Sequence, residues 1–441
     1  RRRARSRART LRLPARRPSP PPRNTHETRR EAAKKPSALE PFSVRSFRFQ
    51  WPADLAASWG FEMEALIMGW YILAETNSVV MLTLVGAFRF LGTLLSPWFG
   101  VAGDRIGRRG MMLYMRGALM ALAAIIMVLS LLEVLLPIHI LTVAFLAGLI
   151  QPSDILMRNA LVGDTIPQSI ILGAISISRT AHDSARIFGA LTGAGIFAFL
   201  GIGYAYVFVV AVYGIGLYFT ANVSRAHPLK DGGTKPEAGK TSQFQELKVG
   251  FLYIWNTPAV LAIMWLAFLA NLTAFPLTHG LMPFVARDIL QVDENGLGQL
   301  LAAFSAGAVL GALLLAWFRA QKYSSRMMLI NLVMWYAMLV IFTTAGTKFS
   351  GIVILVFVGI AHSFSMVSMA AALLEKTDQM VRGRIMGVRV LAVYGVPLGL
   401  LGSGFLIESV GFVTFIWIYA GVGTLFTVLI GIKWRKALWP L

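Results

Sequence analysis

From Trp51 onward the chain divides into stretches of about twenty mostly apolar residues with little left between them. At 1.5 Å per residue, such a stretch spans the ~30 Å hydrocarbon core of a bilayer. Backbone N–H and C=O groups in lipid must be satisfied within the segment, so these runs fold as helices. Twelve can be placed, near 51–73, 78–102, 111–132, 138–157, 170–199, 204–222, 257–283, 297–318, 327–345, 352–374, 385–406 and 412–432. Composition points the same way. The chain is 56% hydrophobic and 14% charged, where a soluble chain carries about 25% charged residues. The expected class is an all-α membrane protein.

Basic residues set the orientation, because loops rich in Lys and Arg stay on the cytoplasmic side. With the N-terminus inside, eighteen Lys or Arg fall in inside loops or after the last span, and two, Arg287 and Lys348, fall outside. Both termini are therefore expected in the cytoplasm. Arg158 is counted here as a loop residue. The longest internal connection contains "AHPLKDGGTKPEAGK" and falls between spans six and seven. The expected organisation is a basic disordered tail over 1–46, an N-terminal six-helix bundle over 47–222 and a cytoplasmic linker over 223–256. A C-terminal six-helix bundle over 257–433 and a cytoplasmic C-terminus over 434–441 complete it. Gly189-x3-Gly193 in span five and Gly395-x3-Gly399 in span eleven hold corresponding places in the two halves, a spacing that lets helices approach closely.

The net charge of +20 is mostly a tail. Residues 1–50 hold sixteen Lys or Arg against Glu27, Glu31 and Glu40. The tail lacks apolar periodicity and carries a PSPPP run, which reads as disorder. It suits anionic lipid headgroups, nucleic acid, an organelle transit segment or an extended reading frame.

Several chemistries lack their residues. There is no Cys, so disulfides and thiolate ligands are excluded. The six His show no HxxxH or HExxH spacing, and no Walker A pattern occurs. No metal, no cofactor and no enzymatic activity are expected.

Charges within spans are costly, at least ~2.5–3.5 kcal/mol each near the bilayer centre, and usually face a partner or an aqueous cavity. Arg116 lies near the start of span three and is expected to snorkel inward in a structural role. Arg389 lies near the inner end of span eleven. Span five reads "SRTAHDSARIFG", placing Arg179, Asp183 and Arg186 at i, i+4 and i+7 on one face, with His182 beside them. Span one supplies Glu62 and Glu64 near mid-depth and Asp54 nearer its end, and span two supplies Arg89. Glu62 and Glu64 stand about 200° apart on a helix, so both cannot face one cavity. The C-terminal half offers Asn271 and His279, taken as cofacial at i and i+8, with Pro276 between them, and His362 in span ten. Glu62, Glu64, Arg89, Arg179, His182, Asp183, Arg186, Asn271, His279 and His362 are the candidates for a substrate or proton pathway. Permanent ion pairing and plain packing are the competing readings.

The segment "FGVAGDRIGRRGMML", residues 99–113, sits between spans two and three on the inside. Its Gly100-x3-Asp104-Arg105-x-Gly107-Arg108-Arg109 resembles the signature loop of the major facilitator superfamily. With "FRFQWPADLAASWG" at 47–60, "VRGRIMGVRV" at 381–390 and Pro397-Leu398-Gly399, the chain from Phe47 onward is similar to the enterobactin-exporter-like branch. The resemblance implies a major-facilitator fold of two six-helix bundles that works by alternating access. Two departures stand out. Span five lacks the proline of the exporter pattern, and "FRAQKYSSR" after span eight lacks the loop's Asp.

In physical terms Gly107 permits a tight reversal, and the three Arg hold the loop at an anionic surface. A carboxylate such as Asp104 is favoured at a helix N-terminus. We expect Asp104 to meet the start of span eleven near Arg382 and Arg384, latching the halves on the cytoplasmic side. The functional expectation is a secondary transporter in the cell membrane, coupled to protons and exporting a small amphipathic molecule. A broad-specificity drug:H+ antiporter and a transport-inactive receptor or scaffold are the alternatives. Expected partners are a small-molecule substrate, protons and the lipid bilayer, with no nucleic acid and a monomeric chain.

Overall fold

The computed structural model describes residues 39–439 except 94, 168, 225–242, 318–323, 379–380, 382–384 and 386–387. Every regular element among the described residues is helical. The first half contains α1 (Arg45–Thr76), α2 (Val79–Phe88), α3 (Ser96–Ile106), α4 (Arg108–Leu131), α5 (Pro137–Thr165) and α6 (Ile171–Asn222). Beyond residue 242 come α7 (Gln243–Asn256), α8 (Pro258–Thr273), α9 (Glu294–Trp317), α10 (Ser324–Phe342), α11 (Lys348–Glu375), α12 (Gly395–Val410) and α13 (Phe412–Lys433).

Local chemistry sets the ends. The Ser78 hydroxyl caps α2 by accepting from the Met81 N–H at 3.3 Å, and Thr347 with Ser350 forms a capping box at α11. Gly107 (φ +92°) makes the turn between α3 and α4, a backbone region that a side chain strains. The 52 residues of α6 would reach about 78 Å if straight, more than twice the bilayer core. The break is at Gly201, where φ is 78° and ψ 176°, so α6 comprises two segments of crossing length.

Among the described residues eight helices are long and apolar enough to cross a membrane, or nine if α7 and α8, bent by 106°, count as one. Two expected spans are interrupted. The span expected over 78–102 stops as an α-helix at Phe88, passes through a 3-10 turn at Leu91–Thr93 and resumes at α3. Its backbone there lies against α5 so closely that a Cβ on Gly148 would overlap the Phe88 carbonyl. The span expected over 257–283 breaks after Thr273 into short pieces at Phe275–His279 and Met282–Phe284, each with a proline in its first turn. The segment expected as a linker over 223–256 is helical from Gln243, and α7 packs on α8 with Ile254 buried. Of the expected tail, the described part holds a 3-10 turn at Glu40–Ser43 and the start of α1. The rest of the tail lies outside the described residues.

Packing follows the two halves of the chain. α1 packs on α6, α6 on α4 and α4 on α5, while α9 and α10 pack on α11, α10 on α13, and α12 and α13 on α8. The Gly189/Gly193 pair lies against α1, where added Cβ atoms would sit 2.8 Å from Glu62 and 3.1 Å from Met63. The Gly395/Gly399 pair lies against α8 in the same manner, with Gly395 2.6 Å from the Phe268 carbonyl on that measure. Small residues thus seat α6 on α1 and α12 on α8. Two seams join the halves, α2 with α12 and α6 with α9. Outward-facing positions are apolar, with Phe199, Trp317 and Phe349 largely exposed, a surface that lipid accommodates and water does not.

Candidate functional site

A cavity of about 400 Å³ lies between the two halves. From the first half it takes Phe61, Glu62, Leu66 and Gly69 of α1, Leu82 and Val85 of α2, then Arg89 and Phe90, Pro152 and Ile155 of α5, and His182 and Arg186 of α6. From the second half it takes Thr278, His279, Gly280, Met282 and Pro283 from the broken seventh segment, and Leu301 and Ser305 of α9. Helical spacing explains the selection. Glu62, Leu66 and Gly69 follow i, i+4, i+7 on α1, and His182 and Arg186 are one turn apart on α6.

The polar groups of the cavity are few. Arg186 Nε stands 3.9 Å from Glu62 Oε1, a charge contact too long for a hydrogen bond. The Arg186 guanidinium carbon is 5.8 Å from the centre of the Phe304 ring. The Arg89 guanidinium lies over Phe61 at 4.1 Å from the ring centre. His182 Nδ1 is 3.2 Å from the Ser58 hydroxyl, and His279 Nδ1 is 3.0 Å from the Thr278 hydroxyl. Glu62, Arg89, His182, Arg186 and His279 therefore come together at one surface.

The other candidates are placed elsewhere. Glu64, on the far side of α1 from Glu62, is buried and accepts a hydrogen bond from Tyr213 at 2.5 Å. Arg179 and Asp183 pair with each other at 3.3 Å, the Arg side chain 73% exposed, and do not line the cavity. Asn271 donates to the Ala267 carbonyl of its own helix, and its Cβ lies on the face that meets Gly395. The helix break at Ala274 separates it from His279, so the expected shared face does not form. The His362 ring packs among Trp335, Phe275 and Phe304, at centroid distances of 4.9, 5.3 and 5.3 Å, as a member of an aromatic cluster.

A buried ion network near the Gly107 end of the first half escaped the sequence reading. Arg116 is 2% exposed and does not snorkel. It binds Asp54 at 2.5 Å, Asp154 at 3.1 Å and the Thr220 hydroxyl at 2.6 Å. Arg158 is not in a loop. It lies within α5, pairs with Asp154 at 2.7 Å and donates to Ser58 at 2.6 Å. Four helices, α1, α4, α5 and α6, meet in this network. The signal was present in the sequence as Asp154 and Arg158 at i and i+4 inside an apolar run.

Of the loop residues, Arg108 binds Asp164 at 2.7 Å and the Ala160 carbonyl at 2.8 Å, and Arg109 donates to the Ala221 carbonyl. These contacts tie the loop to α5 and α6 of its own half. Arg105 and Gly107 are exposed. Gly100 and Asp104 fall within α3, but the Asp104 side chain, Arg382 and Arg384 lie outside the described residues. At the opposite end, polar contacts join the halves. Glu408 accepts from the Ser78 hydroxyl at 3.1 Å and the Val80 N–H at 3.2 Å, and Arg287 donates to the Leu73 carbonyl at 2.6 Å.

Comparison with known proteins identifies the architecture. The nucleoside transporter NupG superimposes with a TM-score of 0.70 at 12% identity, over 89% of this chain and 100% of that one. A D-xylose–proton symporter gives 0.67 at 13% identity, over 87% and 96% of the respective chains. The peptide transporter PepTSo, of the POT family, gives 0.67 at 13%, over 90% and 99%. At these identities the likeness concerns the fold. No curated protein sequence matches the chain. The family model described as transmembrane secretion effector matches residues 36–439, nearly all of the helical part. The chain is thus an integral membrane protein and belongs to the transmembrane secretion effector family of major facilitator transporters, which are transporters rather than enzymes.

Proposed function

We propose that the protein is a secondary active transporter of the inner membrane that exports a small amphipathic molecule, siderophore-like or drug-like, in exchange for protons. The observation that carries this reading is the cavity shared by the two halves, largely apolar, with all its charged side chains from the first half. The secretion description of the family favours outward movement. In this reading twelve helices form two six-helix bundles with both termini in the cytoplasm. The bundles rock about the cavity so that it opens to one side at a time. The contacts of Glu408 and Arg287 then close the outer end, and the Gly107 loop lies at the cytoplasmic face, where Asp104 latches the start of span eleven in the outward-open state.

Glu62 is the coupling group in this scheme. Its carboxylate stands opposite Arg186 without a hydrogen bond, so gain or loss of one proton changes the attraction between α1 and α6 directly. The test is flux in proteoliposomes carrying a pH-sensitive dye. Movement of a substrate should be accompanied by a proton flux of opposite direction. Glu62→Gln should abolish the pH change while leaving substrate exchange at equilibrium, and Asp104→Asn should slow net transport at normal expression. Flux with no pH change would remove proton coupling, and binding with no flux would make the protein a receptor.

A further inference from the structure

The six mid-membrane ionic residues of the first half balance in the sequence, three acids against three Arg, yet they do not balance at the cavity. Glu64 is turned into the α1–α6 interface and held by Tyr213. Arg179 and Asp183 pair with each other outside it. Only Glu62, Arg89 and Arg186 line the cavity, leaving one carboxylate and two guanidinium groups.

Arg89 has no carboxylate within 4 Å and no hydrogen bond among the described residues. Its one specific contact is the Phe61 ring at 4.1 Å. A guanidinium carries five N–H donors in a planar fork, and at membrane depth each unpaired donor is costly. The ring supplies at most ~2 kcal/mol and satisfies none of the donors. Arg186 is only loosely engaged by Glu62 at 3.9 Å, and Glu62 also attracts Arg89, so one carboxylate serves two guanidinium groups that repel each other. Two guanidinium groups that share the attraction of one cavity carboxylate, Glu62, leave excess positive charge and form a receptor for a negative group. Planar oxyanions fit best, because the fork binds them through two parallel hydrogen bonds.

Beside the charges lies an apolar shelf. Phe61 and Phe90 line it, the His279 ring stands 6.4 Å from Phe90, and Leu82, Met282 and Pro283 complete it. A volume of about 400 Å³ suits a drug-sized molecule. We propose that Arg89, assisted by Arg186, binds a carboxylate or similar planar oxyanion on the transported molecule, and that the substrates are amphipathic organic anions with a flat apolar body. This rests on the transport reading above and narrows its substrate class.

The test uses the full chain in phosphatidylcholine nanodiscs, where no anionic lipid competes for the site. The probes are 2-naphthoate, its neutral amide and 2-naphthylmethylammonium, which share a ring system and differ in charge. The carboxylate should bind at least tenfold more tightly than the amide, and the ammonium most weakly. Arg89→Gln should weaken the carboxylate tenfold or more and change the amide less than twofold, while Arg89→Lys restores part of the loss. Because Arg89 forms no salt bridge or hydrogen bond among the described residues and its ring contact is weak, Arg89→Gln should leave the thermal unfolding midpoint nearly unchanged, whereas a residue holding the fold together would lower it. The proposal is overturned if the amide or ammonium binds as well as the carboxylate, if none of the three binds at millimolar concentration, or if Arg89→Gln leaves carboxylate binding intact. Charge-selective binding without flux in proteoliposomes would instead remove the transport reading and leave the anion site standing.

Discussion

Around Arg116 the first half packs two carboxylates and two guanidinium groups from three helices, whereas around His362 the second half packs rings, Phe275, Phe304 and Trp335. The two halves share a packing scheme, since Gly189/Gly193 and Gly395/Gly399 seat corresponding helices. What fills the interior between those helices differs. Ion pairs demand particular partners at fixed positions, because a buried charge left alone is expensive. Ring packing asks only for shape and tolerates exchange of one flat apolar group for another. The cavity inherits the contrast, its charges coming from α1, α6 and Arg89 just after α2, while the second half contributes no charged side chain to it.

That contrast ranks the substitutions. Arg116→Met leaves Asp54 and Asp154 buried and facing each other. It should cost about 3–5 kcal/mol, read as a lower unfolding midpoint in detergent, and Asp154→Asn in the same background should recover part of it. An unchanged midpoint would mean the network holds nothing together. Next come the glycines. Gly399→Ala puts a methyl group into the Leu272 carbonyl and should destabilise by about 1–3 kcal/mol. Gly193→Ala, 3.1 Å from the Met63 Cα and Cγ, should lose less because that contact is tight rather than overlapping. Equal losses would show that the two helix seats are alike. His362→Phe should be the mildest, under ~1.5 kcal/mol, with unaltered transport rates. A collapse of transport in this variant would place His362 in the substrate path after all.

Much of the architecture could be read from residue order. Stretches of crossing length, the Gly107 loop and the glycine pairs were visible because each depends on neighbours in sequence. The 100° step per residue likewise sets Glu62 and Glu64 apart, and they point to a cavity and to Tyr213 respectively. The failures came where helices break or where partners are remote. Asn271 and His279 share a face only on an uninterrupted helix, and Pro276 with Gly280 removes that condition. Asp154 has one ion-pair partner in its own helix, Arg158, but the other, Arg116, lies 38 positions away and brings in Asp54 of α1, so the full network is not local in sequence. Arg89 is visible as a charge in a span, but its lack of a salt bridge among the described residues is a property of the assembled interior.

The polar contacts at the Glu408 end have an evolutionary consequence. On one side of each bond stands a side chain, Glu408 or Arg287, and on the other stands main chain, the Val80 N–H or the Leu73 carbonyl. Residues 73 and 80 can therefore drift to any type the helices accept without loosening the clasp. Among the described polar contacts at this end, the side chains on which they depend are Glu408, Arg287 and the Ser78 hydroxyl.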